Sequence, residues 1–281
     1  MLALQTRLLR FALAVAVGVL GLLGPLLAPS AAAVEASPPG ANDWSCKPST
    51  QHPFPVVLVN GTFEGMAKNW STMSPYLKAQ GYCIYAFDYG VTNGVPATGP
   101  IADSAKELQV FVDRVLKATR AKKVDVVGHS QGGMMPRYYL RFLGGDKKVH
   151  HLIGIAPSNH GTTSPLIPPP PFPTGAICQA CVDQQVGSDF LTKLNANGDT
   201  VKGPYYTVIS TIYDEVVTPY TSQALAGPSS QVTNLVIQDF CRLDVIEHDQ
   251  APNDPVVHQI VGAALNNTAG PADPGYRPTC V

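Results

Sequence analysis

One short stretch limits the possible folds of this chain more than any other. Val124-Asp125-Val126-Val127 is a largely apolar run with the length of a buried strand. Gly128-His129-Ser130-Gln131-Gly132-Gly133 follows it, and Met134-Met135-Pro136-Arg137-Tyr138-Tyr139-Leu140 then reads as the start of a helix. A strand that enters a helix through Gly-x-Ser-x-Gly must turn within a few residues, which demands small residues two before and two after the serine. Such a turn holds the Ser130 hydroxyl clear of the backbone, where a base and a carbonyl compound can reach it. A bare Gly-rich turn has the same letters; the strand before it and the helix after it point to a nucleophile.

The rest of the chain supplies a matching frame. Val56-Val57-Leu58-Val59, residues 83–87, Leu152-Ile153-Gly154-Ile155, residues 206–210 and residues 232–237 are short apolar runs. Continuous apolar runs mark strands buried on both faces, the habit of parallel sheets. Helices are predicted between them: residues 73–80, the segment after Ser130, and residues 101–118, where Leu108, Val112 and Val115 recur at helical spacing. A last helix follows Asp254 as N-cap and Pro255 at the first position, with Val257, Ile260, Val261, Ala264 and Leu265 as its apolar stripe. Strands alternating with helices predict an α/β fold, a mostly parallel sheet with helices on both faces. Residues 34–54 read as an extended arm, and 34–281 as a single domain. Ser164-Pro165-Leu166-Ile167 and the prolines 168–171 are too proline-rich for helix or strand. They fall on the side where a site should open and could replace a helical lid.

The first 33 residues read as a signal peptide. Arg7 and Arg10 precede an apolar run over residues 11–27, and Ala31-Ala32-Ala33 offers a cleavage site. A retained anchor is the rival, but Gly21, Gly24 and Pro25 interrupt the run and no basic stop-transfer cluster follows. Cleavage would change the formal charge from −1 by the loss of two arginines. That near-neutral balance offers no footprint for nucleic acid or an anionic membrane. The expected product is an exported, extracellular monomer with no transmembrane segment.

All six cysteines lie after the leader. An even count in an exported chain predicts three disulfides, with fifteen connectivities open. The sequential set is expected: Cys46–Cys83, Cys178–Cys181 and Cys241–Cys280. A zinc site would need a second pair to match the single Cys-x-x-Cys, so no metal is expected. That Cys-x-x-Cys sits in a Pro-rich loop and not at a strand-to-helix junction, which argues against a redox role.

Ser130 needs a base, and after an elbow the acid and then the histidine follow along the chain. Asp214 comes just after the strand near residues 206–212 and would orient the histidine; Glu215, Asp239 and Asp244 are its rivals. Only His248 and His258 lie beyond Asp214. His248, in the loop before the last helix, can swing toward Ser130, whereas His258 lies inside that helix. His129 is expected to pack away from the nucleophile, and His160 to be structural. The oxyanion would be held by two backbone N–H groups, one from Gln131 and one from the Asn60-Gly61-Thr62 turn. Thr62 is the expected donor there and Phe63 the alternative. Two sequons, Asn69-Trp70-Ser71 and Asn266-Asn267-Thr268, matter only in a glycosylating host.

Residues 57–62, Val-Leu-Val-Asn-Gly-Thr, together with Gly128-His129-Ser130-Gln131-Gly132 and the late Asp and His, resemble the secreted bacterial class 2 lipases of the α/β-hydrolase superfamily. More distantly they resemble the yeast lipase B group. Asn60 departs from the His or Pro that many relatives carry before the glycine. The resemblance implies a serine carboxylester hydrolase acting on acylglycerols or related lipid esters, at a lipid–water interface or in solution, with no cofactor. An envelope acyltransferase using the same triad is the alternative. A lipid-binding protein that keeps only the fold is a further one.

Overall fold

The computed structural model describes residues 36–164 and 177–280; the expected leader and residues 165–171 of the Pro-rich segment lie outside the described residues. Among the described residues six strands form one sheet: β1 (Val56–Val59), β2 (Ile84–Ala86), β3 (Val124–His129), β4 (Val149–Ile155), β5 (Tyr205–Ser210) and β6 (Val232–Val236). Their order is β2-β1-β3-β4-β5-β6 and every pairing is parallel. The α/β-hydrolase fold expected from the sequence is the fold observed.

Alternation along the strands builds two cores. Val57 and Val59 of β1 face one apolar cluster, while Val56 and Leu58 face the other. The first cluster is covered by α3 (Ile101–Thr119) and α4 (Gln131–Phe142). The second is covered by α2 (Met73–Ala79), which follows the four-residue α1 (Met66–Asn69), and by the last helix. Fully burying one Val or Leu is worth about 1.5–3 kcal/mol, so these two layers hold the sheet. Among the described residues the remaining α-helices are α5 (Gln179–Asp183), α6 (Asp189–Asn195), α7 (Ile237–Phe240) and α8 (Pro255–Asn266). Asp254 caps α8 by accepting from the Val256 and Val257 N–H groups at 2.7 and 2.9 Å.

The topology places the site. The chain leaves β1 for β2 on one side, then returns to set β3 on the other, which makes the boundary between β1 and β3 a switch point. Val59 pairs with Gly128, so the turn after β1 and the turn after β3 emerge side by side. The cysteines pair as Cys46–Cys83, Cys178–Cys181 and Cys241–Cys280, with Cα separations of 5.8, 5.3 and 5.5 Å. The first ties the N-terminal arm to the start of β2, and the third ties the C-terminal tail to the end of α7. Among the described residues no helix is long and apolar enough to cross a membrane, and no cluster of side chains could hold a metal ion.

Candidate active site

Ser130 sits at the N-cap of α4 with φ 54° and ψ −122°. A non-glycine residue held there stores about 1–3 kcal/mol of backbone strain. Close packing around the elbow enforces it. A Cβ on Gly128 would strike the Gly132 carbonyl, and one on Gly132 would strike the Val59 carbonyl. The Ser130 N–H donates to the Ile155 carbonyl at 2.9 Å, which pins the elbow to β4.

Asp214 and His248 meet beyond the C-terminal end of the sheet. The His248 Nδ1–H donates to Asp214 Oδ2 at 2.8 Å. Asp214 Oδ1 accepts from the Val216 and Val217 N–H groups at 2.9 and 2.7 Å, and Oδ2 also accepts from Gln223 Nε2 at 2.7 Å. Four donors thus converge on this buried carboxyl group. They also assign the histidine tautomer: Nδ1 carries the hydrogen and Nε2 keeps a lone pair. Ser130 and His248 line one cavity of about 270 Å³, together with Gly61, Thr62, Ser158 and Gln184. The structure therefore brings Ser130, His248 and Thr62 to one cavity and bonds Asp214 to His248.

The expected oxyanion residues are tied to each other. Thr62 Oγ1 donates to Gln131 Oε1 at 2.7 Å and accepts from Gln184 Nε2 at 2.9 Å. Ser158 Oγ holds Gln184 Oε1 at 2.8 Å. Gln131 is the first residue of α4, so its N–H has no acceptor inside the helix and lies at the positive end of the helix dipole. The Thr62 N–H has no acceptor among the described residues. Phe63 lies beside it on the cavity wall at φ 64°, an exposed residue.

The rivals fall elsewhere. Glu215 and Asp239 are exposed, and Asp244 accepts from the Ile246 N–H at 2.9 Å. His258 is buried in α8 against the Pro252 carbonyl, 2.9 Å away. His160 pairs with Asp199 at 3.0 Å, the structural place expected for it. Nearby, Arg137 of α4 is buried and bonds the Asn159 and Asp199 carbonyls at 3.1 and 3.0 Å; burial pulls its guanidinium down to about 10.

His129 departs from expectation. It does not pack away from the site: it lines the cavity, and its Nε2–H donates to the His248 carbonyl at 3.0 Å. Its Nδ1 accepts from Asn69 Nδ2 at 3.1 Å, and Asn69 Oδ1 accepts the Gly61 N–H at 2.8 Å. Burial, and then the nearby His248, push the His129 ring well below the usual histidine range, so it stays neutral. Asn69, Gln184 and Gln223 are contributors that sequence reasoning missed. The sequon at Asn69 is buried in this network. One signal for His129 was present: a polar ring at the end of an apolar strand has to find polar partners.

The profile of the family described as Lipase (class 2) matches residues 53–261. A triacylglycerol lipase of Pseudarthrobacter phenanthrenivorans and one of Burkholderia plantarii are each 31% identical over 90 residues. Those stretches cover 30% of this chain, and 27% and 24% of the respective relatives, so the chain spans about a quarter of the length of the curated relatives it matches. Among solved structures, Aspergillus fumigatus lipase B superposes with a TM-score of 0.69 at 19% identity, over 85% of this chain and 57% of that one. The mature form of Bacillus licheniformis lipase BlEst2 gives 0.59 at 16% identity, over 83% of this chain and 95% of that one. At those identities the two superpositions speak for the fold alone.

Proposed function

The chain belongs to the class 2 lipase family, and from that premise we propose that it is a serine carboxylester hydrolase, a lipase or esterase that cleaves acylglycerols or related lipid esters. The observation that carries the reading is the His248–Asp214 bond of 2.8 Å on a histidine that lines one cavity with the strained Ser130 elbow. In the reaction His248 Nε2 takes the Ser130 proton as Oγ attacks the ester carbonyl carbon. The oxyanion is held by the Thr62 and Gln131 N–H groups, because such donors stabilise the negative charge that develops there. The tetrahedral intermediate collapses, and the alcohol leaves with the proton from His248. Water then attacks the acyl-Ser130 ester and gives its proton to the same base. The second collapse releases the fatty acid and returns a proton to Ser130. Three disulfides and the leader-like first 33 residues support export to an oxidising compartment, where such an enzyme meets lipid outside the cell.

The test is hydrolysis of p-nitrophenyl esters from C2 to C16. Ser130→Ala is expected to lose about 10⁶-fold in kcat while its melting temperature stays that of the parent. Turnover that persists in Ser130→Ala overturns the assignment. Activity confined to short chains makes it an esterase, and transfer to an added alcohol in preference to water makes it an acyltransferase.

A further inference from the structure

We propose that Asn69 and His129 are positioning residues that lock the oxyanion turn and the catalytic base into one frame. The inference rests on the ester-hydrolase reading above. Three hydrogen bonds run in series: the Gly61 N–H to Asn69 Oδ1 at 2.8 Å, Asn69 Nδ2 to His129 Nδ1 at 3.1 Å, and the His129 Nε2–H to the His248 carbonyl at 3.0 Å. The two ends are the parts that must keep their spacing during catalysis. Gly61 precedes the Thr62 amide, and the His248 backbone carries the imidazole that serves Ser130. The series joins four places in the chain: the turn after β1 and the end of α1, eight residues apart, then the elbow and the loop before α8.

The polarity of the series is fixed throughout. Asn69 Oδ1 takes a backbone N–H, so its other end must be the donor. The His129 Nδ1 that receives it must be bare, so Nε2 carries the hydrogen that the His248 carbonyl accepts. A protonated His129 would aim an N–H at the Asn69 amide, and burial prevents that charge. Asn69, His129 and His248 are all buried, so water cannot replace a lost bond. Among the described residues Glu64 is the carboxylate that faces the ring; its Oε2 is 3.8 Å from Nδ1, beyond hydrogen-bonding range, and its Oε1 is bound to Lys68 at 2.6 Å. Steric contact reinforces the coupling. A Cβ on Gly61 would come within 2.9 Å of His129 Nδ1 and 3.3 Å of Ser130 Cβ, so turn, ring and nucleophile are already in contact.

The test uses a soluble p-nitrophenyl ester and four variants: Asn69→Asp, His129→Phe, the two combined, and His129→Gln. Asn69→Asp keeps the acceptor for Gly61 but removes the donor to His129. His129→Phe removes both ring bonds at similar volume. Each is expected to lower kcat about 10- to 100-fold, the scale for an ångström-level misplacement of reacting groups, with KM within threefold of the parent. Because both break one series, the combined variant is expected to lose no more than the worse single one. His129→Gln, which offers an acceptor and a donor on one amide, is expected to recover activity above His129→Phe. Losses that multiply in the combined variant, or kcat within twofold of the parent in both single variants, overturn the proposal. Should His129→Phe fail to fold, Asn69→Asp decides alone: a kcat loss with unchanged KM and melting temperature supports the relay, and parental kcat overturns it. A parent protein with no ester turnover overturns the hydrolase reading, and the relay with it.

Discussion

Two buried histidine–aspartate pairs flank this sheet with nearly the same geometry, and only one of them belongs to the candidate site. His248 Nδ1 lies 2.8 Å from Asp214, and His150 Nδ1 lies 2.8 Å from Asp125. All four residues are buried. The difference is what the second ring nitrogen meets. His150 Nε2 meets the Thr268 carbonyl at 3.0 Å, so the ring is held at both ends and ties the C-terminal tail to the start of β3 and β4. Its face is stacked on Phe54 at 4.1 Å. His248 presents its ring to the cavity it shares with Ser130. The two acids differ as well. Burial pushes the Asp125 carboxyl up in spite of His150, whereas Asp214 collects two backbone N–H groups and Gln223 in addition to its histidine. A histidine–acid pair is therefore a structural unit by default. It can serve as a catalytic unit when it stands at the C-terminal edge of the sheet with one nitrogen facing a cavity, as the candidate pair does.

The sharpest way to break that contrast is to neutralise each acid. Asp214→Asn is expected to cost about 10⁴ in kcat, because the amide no longer fixes the tautomer that leaves Nε2 basic. Its stability should change little: Gln223 Oε1 is buried with no hydrogen-bond partner among the described residues, and it can turn to accept the new amide. Asp125→Asn is expected to leave kcat within twofold and to lower the melting temperature. Steady-state kinetics and thermal melts on the two variants decide the matter. Equal kcat losses would erase the distinction between the pairs.

A smaller effect, read in stability alone, sharpens the structural half. His150→Leu leaves Asp125 buried without its partner, and removing one member of a buried pair costs about 3–5 kcal/mol. Replacing both, His150→Leu with Asp125→Leu, is expected to recover most of that loss, because no charge is left unpaired. Urea denaturation of the single and double variants reads the difference. A double variant no more stable than His150→Leu would mean that the pair contributes attraction beyond its mutual desolvation.

The sequence showed the order of the candidate triad clearly and the supporting polar contacts hardly at all. Ser130, Asp214 and His248 could be read because each sits at a fixed place relative to a strand or helix with a local pattern. The Val56–Val59 strand and the Pro255 start of the last helix were visible for the same reason, since apolar periodicity and capping are short-range properties. The β4 strand begins at Val149, earlier than its apolar run suggests, because His150 and His151 find buried partners in Asp125 and Thr207. Helices α1, α5 and α6 were not foreseen: they span four to seven residues, too few to show a helical period. Asn69, Gln184 and Gln223 were missed for a different reason. Their partners lie elsewhere in the chain and meet them only after the sheet has formed, so no local spacing announces them.

The third pair, His160 with Asp199, is more exposed and should give the smallest effect. His160 Nε2 lies 3.0 Å from Asp199, and Nδ1 donates to the Ser222 carbonyl at 2.8 Å. The hydrogen bond to Asp199 raises the histidine above its usual value, against the opposing effect of burial. The folded state therefore holds the proton more tightly than the unfolded chain does. That contribution is complete below the unfolded value near 6.5 and is lost as pH rises through the raised one. For Asp199, burial pushes upward but the His160 ring and the Ala226 N–H outweigh it, so its carboxyl sits below the usual value. Its contribution holds above the unfolded value near 3.9 and is lost as pH falls through the lowered one. With the His160 side chain 36% exposed, solvent screening limits the pair to at most about 1 kcal/mol. In a domain of this size that is roughly 2–4 °C in melting temperature. Melts at pH 6 and pH 8 on the parent and on His160→Gln isolate it: the parent should lose more stability over that interval than the variant. Identical losses would show that this exposed pair, unlike the two buried ones, contributes nothing through its charge.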